Sequence, residues 1–245
     1  MIFLYMLLLI LALVFSMPKV KGLIGEGWVR YFLRKLDPEK YIVMNSILLP
    51  ADEGKTTQID HLIISVYGIF AIETKNYKGW IYGSEKSKNW TQVIYKKKEK
   101  FHNPVFQNYS HIKAVENIIR DEFQPPFYSI IAFNTKATLK KIDIESKNVR
   151  VVYDNRILKA VNEFREPVLS KNEMKRIQRI ILNKKIAEKH VNKQHVKAIK
   201  TVQIENKKKV SAGICPNCGG ALTKRSGKHG PFTGCSNYPK CRFTA

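Results

Sequence analysis

The sequence predicts a mixed α/β fold organised on one β-hairpin, and three observations point there. Residues 58–76 read Gln-Ile-Asp-His-Leu-Ile-Ile-Ser-Val-Tyr-Gly-Ile-Phe-Ala-Ile-Glu-Thr-Lys-Asn, two runs rich in β-branched and aromatic residues broken at Tyr67-Gly68. Around them the patterning runs helix, several strands, helix, strand, strand, helix, which suits helices packed on a mixed sheet. Finally, Asp60, Glu73 and Lys75 stand inside the hairpin, where charge is costly unless it is paired or holds a metal.

Side chains alternate along a strand, so Glu73 and Lys75 share one face and Thr74 takes the other. With Tyr67-Gly68 as a two-residue turn, position 60 lies opposite 75 and position 62 opposite 73. Asp60 and Glu73 are then diagonal neighbours on one face. A glycine bulge at position 68 would shift that register by one. Two carboxylates and a lysine so placed suit metal-assisted hydrolysis of a phosphodiester. The carboxylates hold Mg²⁺, and the lysine orients or deprotonates the attacking water. A structural Glu73–Lys75 salt bridge, with Asp60 at a strand end, accounts for the same residues. His61 alternates away from Asp60 and reads as structural.

The chain has 245 residues, 44% of them hydrophobic, enough for a medium domain with a packed core plus appendages. A formal net charge of +23 points to a polyanionic partner, either nucleic acid or anionic lipid. Met1 to Met17 is almost wholly apolar and ends at Pro18-Lys19-Val20-Lys21. It reads as a short transmembrane anchor over residues 1–18. No basic region precedes the run and no small-x-small cleavage site follows it, against a cleaved signal. Lys19 and Lys21 place the main domains on the cytoplasmic side of the cell membrane.

A main domain is expected over residues 22–190. A helix spans Gly22–Leu36, with Glu26 on the stripe of Val29 and Leu33. Glu26 suits the first turn of a helix dipole, or a third carboxylate aimed at the metal. A strand follows at Tyr41–Leu49. Gly54-Lys55-Thr56 mimics the end of a phosphate-binding loop, but its first glycine is replaced by Leu49 and a strand follows, so it is set aside. Trp80–Tyr82 and Trp90–Tyr95 read as strands and Lys96–Lys100 as a charged turn. Asn103 caps a helix that opens with Pro104 and runs to about Phe123, with Gln107 in its first turns and His111 one turn on. Phe127–Asn134 and Val149–Tyr153 read as buried strands, Asn155–Phe164 as a helix. Ser170 and Glu173 form a capping box for a helix that leads into a basic linker over residues 191–211.

Gly25-Glu26, Gln58-Ile59-Asp60-His61, Gly68-Ile69-Phe70, Ile72-Glu73-Thr74-Lys75-Asn76, Gly79 and Asn103-Pro104 with Gln107 occur in an order that resembles the nuclease-related domain (NERD) family. The resemblance covers roughly residues 22–130. It implies a restriction-endonuclease-like core, a mixed sheet flanked by helices, of the PD-(D/E)xK type. Asp60 and Glu73 would be its metal ligands for Mg²⁺ or Mn²⁺, Lys75 its catalytic lysine, and Glu26 and Gln107 supporting residues. With that resemblance, the catalytic reading overtakes the salt-bridge reading.

Cys215, Cys218, Cys235 and Cys241 fall in a module over residues 212–245. Close cysteine pairs followed by glycine aim thiolates at one point, and four complete a tetrahedral Zn²⁺ site; a cytoplasmic location disfavours disulfides. A module this small needs the metal for its folding energy. The segment is similar to the C-terminal zinc ribbons of bacterial type IA topoisomerases, which implies binding to single-stranded DNA. Phe232, Tyr238 and Phe243 would stack on bases among Lys224, Arg225, Lys228, Lys240 and Arg242, or else form the ribbon's small core. The expected function is a membrane-anchored, metal-dependent deoxyribonuclease. The alternative is an inactive fold that tethers nucleic acid, and basic patches alone accept RNA as well as DNA.

Overall fold

The computed structural model describes residues 18–51, 55–185, 206, 208–227, 230–241 and 243–244. The chain divides into two compact units, Met1–Ile186 and Ala187–Ala245. The first holds a five-stranded sheet in the order β1-β2-β3-β7-β9. Its strands are β1 (Tyr41–Pro50), β2 (Thr56–Ser65), β3 (Gly68–Lys75), β7 (Phe127–Phe133) and β9 (Val149–Tyr153). The first three pair antiparallel, and β7 and β9 continue parallel from β3. Helices α1 (Pro18–Leu33) and α3 (Ile157–Val161) cover one face, and α2 (Pro104–Ile119) and α4 (Lys171–Lys184) the other.

Each face has its own core. Val29, Leu33, Ile157 and Val161 meet Ile63, Phe70, Ile72, Ile130 and Ala132 on the α1 side. On the other side, Ile112, Val115, Met174, Ile177 and Ile181 meet Leu62, Ile64, Ile69 and Ala71. The hairpin is therefore apolar on both faces, as a sheet covered on both sides requires.

A second sheet, in the order β6-β5-β4-β8, follows from β3. It comprises β4 (Gly79–Ser84), β5 (Asn89–Ile94), β6 (Lys97–His102) and β8 (Ala137–Asp143). Its inner face buries Ile81 and Trp90 against Phe133, with the Trp90 and Phe133 rings stacked at 6.0 Å and 4°. The charged stretch expected as a turn is mostly strand β6. Propensity disfavours lysine in strands, but an edge strand tolerates it because one side stays in water. Asn103 caps α2 as expected, accepting from the Val105 amide at 2.9 Å. It is fully buried and also donates to the carbonyls of Ser84, Glu85 and Ser87. Asn103→Ala is expected to destabilise the first unit by about 2–4 kcal/mol, because the cap is lost and three carbonyls lose a donor. An unchanged midpoint in urea unfolding would refute this.

The hairpin register differs from expectation. Ser65 pairs with Gly68 and His61 with Ile72, so the turn residues are Val66 and Tyr67. Ser65 Oγ donates to the Gly68 carbonyl at 2.8 Å and accepts from the Tyr67 amide at 3.1 Å, which closes the turn. Gly68 is instead the first residue of β3, with φ of 123°. A Cβ there would lie 2.6 Å from the Pro126 carbonyl oxygen, so glycine is required by the approach of the chain leading into β7. The register shift is two residues, which preserves facing, and the paired ladder ends at His61 and Ile72, next to Asp60 and Glu73.

The membrane expectation is corrected. Among the described residues, no helix is long and apolar enough to cross a membrane, so a single-pass placement in the cell membrane is not supported. The apolar run Met1–Met17 lies outside the described residues, as do Lys228, Arg242 and most of the expected linker over residues 191–211. What is observed is a mixed α/β unit and a C-terminal cysteine cluster, with α1 starting at Pro18 rather than Gly22.

Candidate functional site

The site lies at the end of β3, under α2. Glu73 is buried, and both its carboxylate oxygens are engaged. Lys75 Nζ donates to Oε1 at 2.7 Å, and His111 Nε2 lies 3.1 Å from Oε2. Lys75 Nζ also donates to Gln107 Oε1 at 2.8 Å. Thr57 Oγ1 completes the chain at 2.6 Å from His111 Nδ1. A neutral imidazole satisfies both contacts by donating from Nε2 to Glu73 and accepting from Thr57 at Nδ1. Gln107 and His111 share a helix face by their four-residue spacing. Asn108, buried between them, docks α2 by donating to the Ala71 carbonyl and to Ser129 Oγ, each at 2.8 Å.

Asp60 reaches the site by a less regular route. In the β1–β2 ladder the pair Ser46 and Asp60 is skipped, and Ser46 has φ of 51°. On one side of that break the residues under α2 and α4 are Met44, Leu62 and Ile64, all even. On the other they are Ile47, Leu49 and Ile59, all odd. Facing therefore switches at Asp60, and simple alternation does not place its side chain. Its Oδ2 accepts from the Thr74 amide at 2.8 Å, which ties it to β3 beside Glu73. Glu26 comes from α1, which can approach because Gly25 lacks a side chain: a Cβ there would sit 3.1 Å from Asn76 Cβ.

Three carboxyl groups thus feel one another. Burial, then the Glu73 charge, pushes Asp60 up to about 7, against the Thr74 hydrogen bond. Burial raises Glu26 as well, with Arg30 opposing and Glu73 adding. Burial also acts to raise Glu73, but the bonds from His111 and Lys75 outweigh it and hold the carboxyl below its ordinary value. Crowded carboxylates of hard oxygen donors suit a divalent cation, which would turn their repulsion into attraction. His61 has its Nδ1 2.6 Å from Asn45 Oδ1, and burial lowers it to about 4. Sequence reasoning located His111 but gave it no role, and passed over Thr57. The four-residue spacing from Gln107 is the signal that could have found the histidine.

In the second unit, β10 (Leu222–Gly227) and β11 (Gly230–Cys235) pair antiparallel. The sulfurs of Cys215, Cys218, Cys235 and Cys241 all lie within 4.8 Å of one another. Cys215 and Cys241 are 3.7 Å apart and Cys218 and Cys235 3.3 Å, near the roughly 3.8 Å edge of a tetrahedron with Zn–S bonds of about 2.3 Å. The Gly220 amide, then the Cys235 thiol, pulls Cys218 down to about 6, so a thiolate is available at neutral pH. These residues fit Zn²⁺. Elemental analysis is expected to find one zinc per chain, and Cys235→Ser to lose it; a zinc-free parent would refute this. Beside the cluster, a groove of about 330 Å³ is lined by Arg225, Phe232, Tyr238 and Phe243. Phe232 and Tyr238 are exposed, and the Arg225 guanidinium lies 5.6 Å from the Tyr238 ring centre.

A buried carboxylate–lysine cluster at the end of a central strand, with a four-cysteine module later in the sequence, defines a nuclease-like α/β protein carrying a zinc ribbon. The family model described as nuclease-related domain matches residues 21–134, and that of the topoisomerase DNA-binding C4 zinc finger matches 212–245. An uncharacterized protein of Bacillus anthracis is 45% identical over 180 residues, 74% of this chain and 84% of that relative. The chain belongs to the nuclease-related domain family. The ribbon alone is similar to DNA topoisomerase 1 of Mycoplasmoides gallisepticum, 62% identical over 29 residues, 12% of this chain but 4% of that enzyme. An uncharacterized Escherichia coli protein is 66% identical over 29 residues, 12% of this chain and 16% of its own. No solved structure matches the chain.

Proposed function

We propose that the protein is a metal-dependent nuclease of the PD-(D/E)xK type that hydrolyses DNA phosphodiester bonds, with a ribbon that binds single-stranded DNA. The observation that carries this reading is the meeting of Asp60, from the middle of β2, with Glu73 and Lys75 at the end of the neighbouring β3, Asp60 being bonded to the Thr74 amide between the other two. Asp60 and Glu73 would hold Mg²⁺ or Mn²⁺, which when bound polarises the phosphoryl oxygen and acidifies water. Glu73 is fixed by His111 on one oxygen, which leaves its remaining lone pairs aimed by the protein rather than by solvent. Lys75, held by Gln107, keeps a positive charge where charge grows on phosphate and orients the attacking water. Glu26 supports the site from α1 and adds negative charge that favours a cation.

A second reading is a catalytically inactive fold that holds nucleic acid. It is favoured by the closed contact of Glu73 with Lys75 and His111, which a purely structural ion pair would also make. Incubating the full chain with labelled single- and double-stranded DNA separates the two. Cleavage is expected with Mg²⁺ or Mn²⁺ and not without added metal. Binding without cleavage under any metal condition would leave the inactive reading. An RNA arm decides the sugar.

A further inference from the structure

The second sheet presents an outer face that the nuclease site does not use. Its register sets the residues of that face in cross-strand rows. Trp80 lies opposite Val93, and Val93 opposite Lys98; Tyr82 lies opposite Thr91, and Thr91 opposite Lys100. Directly paired residues project to one side, so these are all on the face opposite buried Ile81 and Trp90. Trp80 is 48% exposed, and Lys140, at the irregularity in the β4–β8 pairing, puts its Nζ 4.9 Å from the Trp80 ring centre. At the turn joining β5 to β6, Tyr95 is 98% exposed and has φ of 53°. A bulky residue in that conformation costs on the order of 1 kcal/mol relative to glycine, and here no burial offsets it. A groove of about 480 Å³ runs between Trp80 and Tyr95, with Lys78 on its wall.

We infer that this face is a stacking platform for unpaired bases of single-stranded nucleic acid. Trp80 and Tyr95 receive the bases, and Lys78, Lys98, Lys100 and Lys140 take the phosphates. Two exposed aromatic faces beside a groove and ringed by lysines form the combination that binds a strand without reading its sequence. Lys140 already lies over the Trp80 ring, a cation–π contact it can exchange for a phosphate as a base moves in. β4 starts only four residues after Lys75, so a strand lying here is on the same covalent segment as the cluster. The inference rests on nucleic acid as the partner, but not on its cleavage.

The test uses the full chain with Lys75→Ala as background, so that nothing is cut, and a short fluorescein-labelled oligothymidine as probe. Trp80→Ala with Tyr95→Ala is expected to weaken binding by about thirtyfold, since each stacked base contributes at least about fivefold. Trp80→Phe with Tyr95→Phe should restore most of the affinity. Lys98→Ala with Lys100→Ala should flatten the salt dependence by about 0.7 per lysine on a log–log plot. Duplex DNA, whose bases are already stacked, should lose little with the aromatic pair. All four substituted side chains sit on the exposed face, and matching unfolding curves confirm that the variants are folded. Affinity within twofold of the parent for both pairs overturns the platform and leaves the nuclease proposal standing. Equal loss for duplex and single strand overturns the stacking role. A change in oligomeric state with unchanged DNA binding would make the face a contact between copies and also overturn it. Conversely, a parent that never cleaves under any metal condition removes the nuclease and leaves this comparison intact.

Discussion

Lys75→Ala is expected to lower the rate of DNA cleavage by on the order of a thousandfold while changing DNA affinity little. The lysine ends β3 with its ammonium bridging Glu73 and Gln107 at 2.7 and 2.8 Å, and its side chain is only 15% exposed. A charge held that firmly, in a partly dehydrated place, costs no reorganisation when negative charge grows on a phosphate. Removing it also leaves Glu73 with His111 alone, so the variant will be somewhat less stable. Rates should therefore be compared well below its unfolding transition, with binding measured in parallel. Gln107→Ala, which frees the ammonium but keeps it, should cost much less, about tenfold. Parent-like cleavage by a folded Lys75→Ala chain would remove the lysine from the chemistry.

Asp60→Asn should make the metal-free first unit more stable at pH 8, by roughly 2–4 kcal/mol, and should abolish cleavage. The sign follows from the Asp60 carboxyl standing at about 7 in the folded chain against an ordinary 3.8. Between those values the folded state holds a proton that the unfolded state has released, so stability falls as pH rises. Above about 7 the full cost of the buried carboxylate is present. Asparagine cannot ionise, yet its amide oxygen can still accept from the Thr74 amide. The gain should shrink as pH drops and vanish near pH 4. Added Mg²⁺ should raise the melting temperature of the parent but not of the variant. A variant no more stable than the parent at pH 8 would mean that Asp60 is not crowded as described.

Much of this was readable from residue order. The two runs flanking residue 66, the Asn103 cap and the Ser170–Glu173 capping box are local signals, and local geometry honours them. The hairpin turn sits one position earlier than expected, and the pairing shifts by two, because the demand on Gly68 comes from Pro126, 58 residues further on, which no local pattern reveals. Strand β6 was missed because Lys97–Lys100 pair with β5 only by virtue of lying at an edge. β8 was missed for a similar reason: Ala137–Asp143 is mostly exposed, so its apolar alternation is faint. Within the site, Glu73, Lys75 and Gln107 come together as two strand positions and one helix position can. Thr57 and Asp60 depend on the switch of facing at Ser46, a single backbone torsion that sequence periodicity does not carry.

β3 is bonded to β2 on one side and β7 on the other and is roofed by helices above and below. Its far end carries Glu73 and Lys75, so the groups proposed to act on phosphate ride on the part of the molecule with least freedom to drift. The lysine-rich sheet and the ribbon are attached downstream of it and share few of its constraints. Preference for one polymer over another can accordingly diverge among descendants of such a chain without retuning the proposed bond-breaking step.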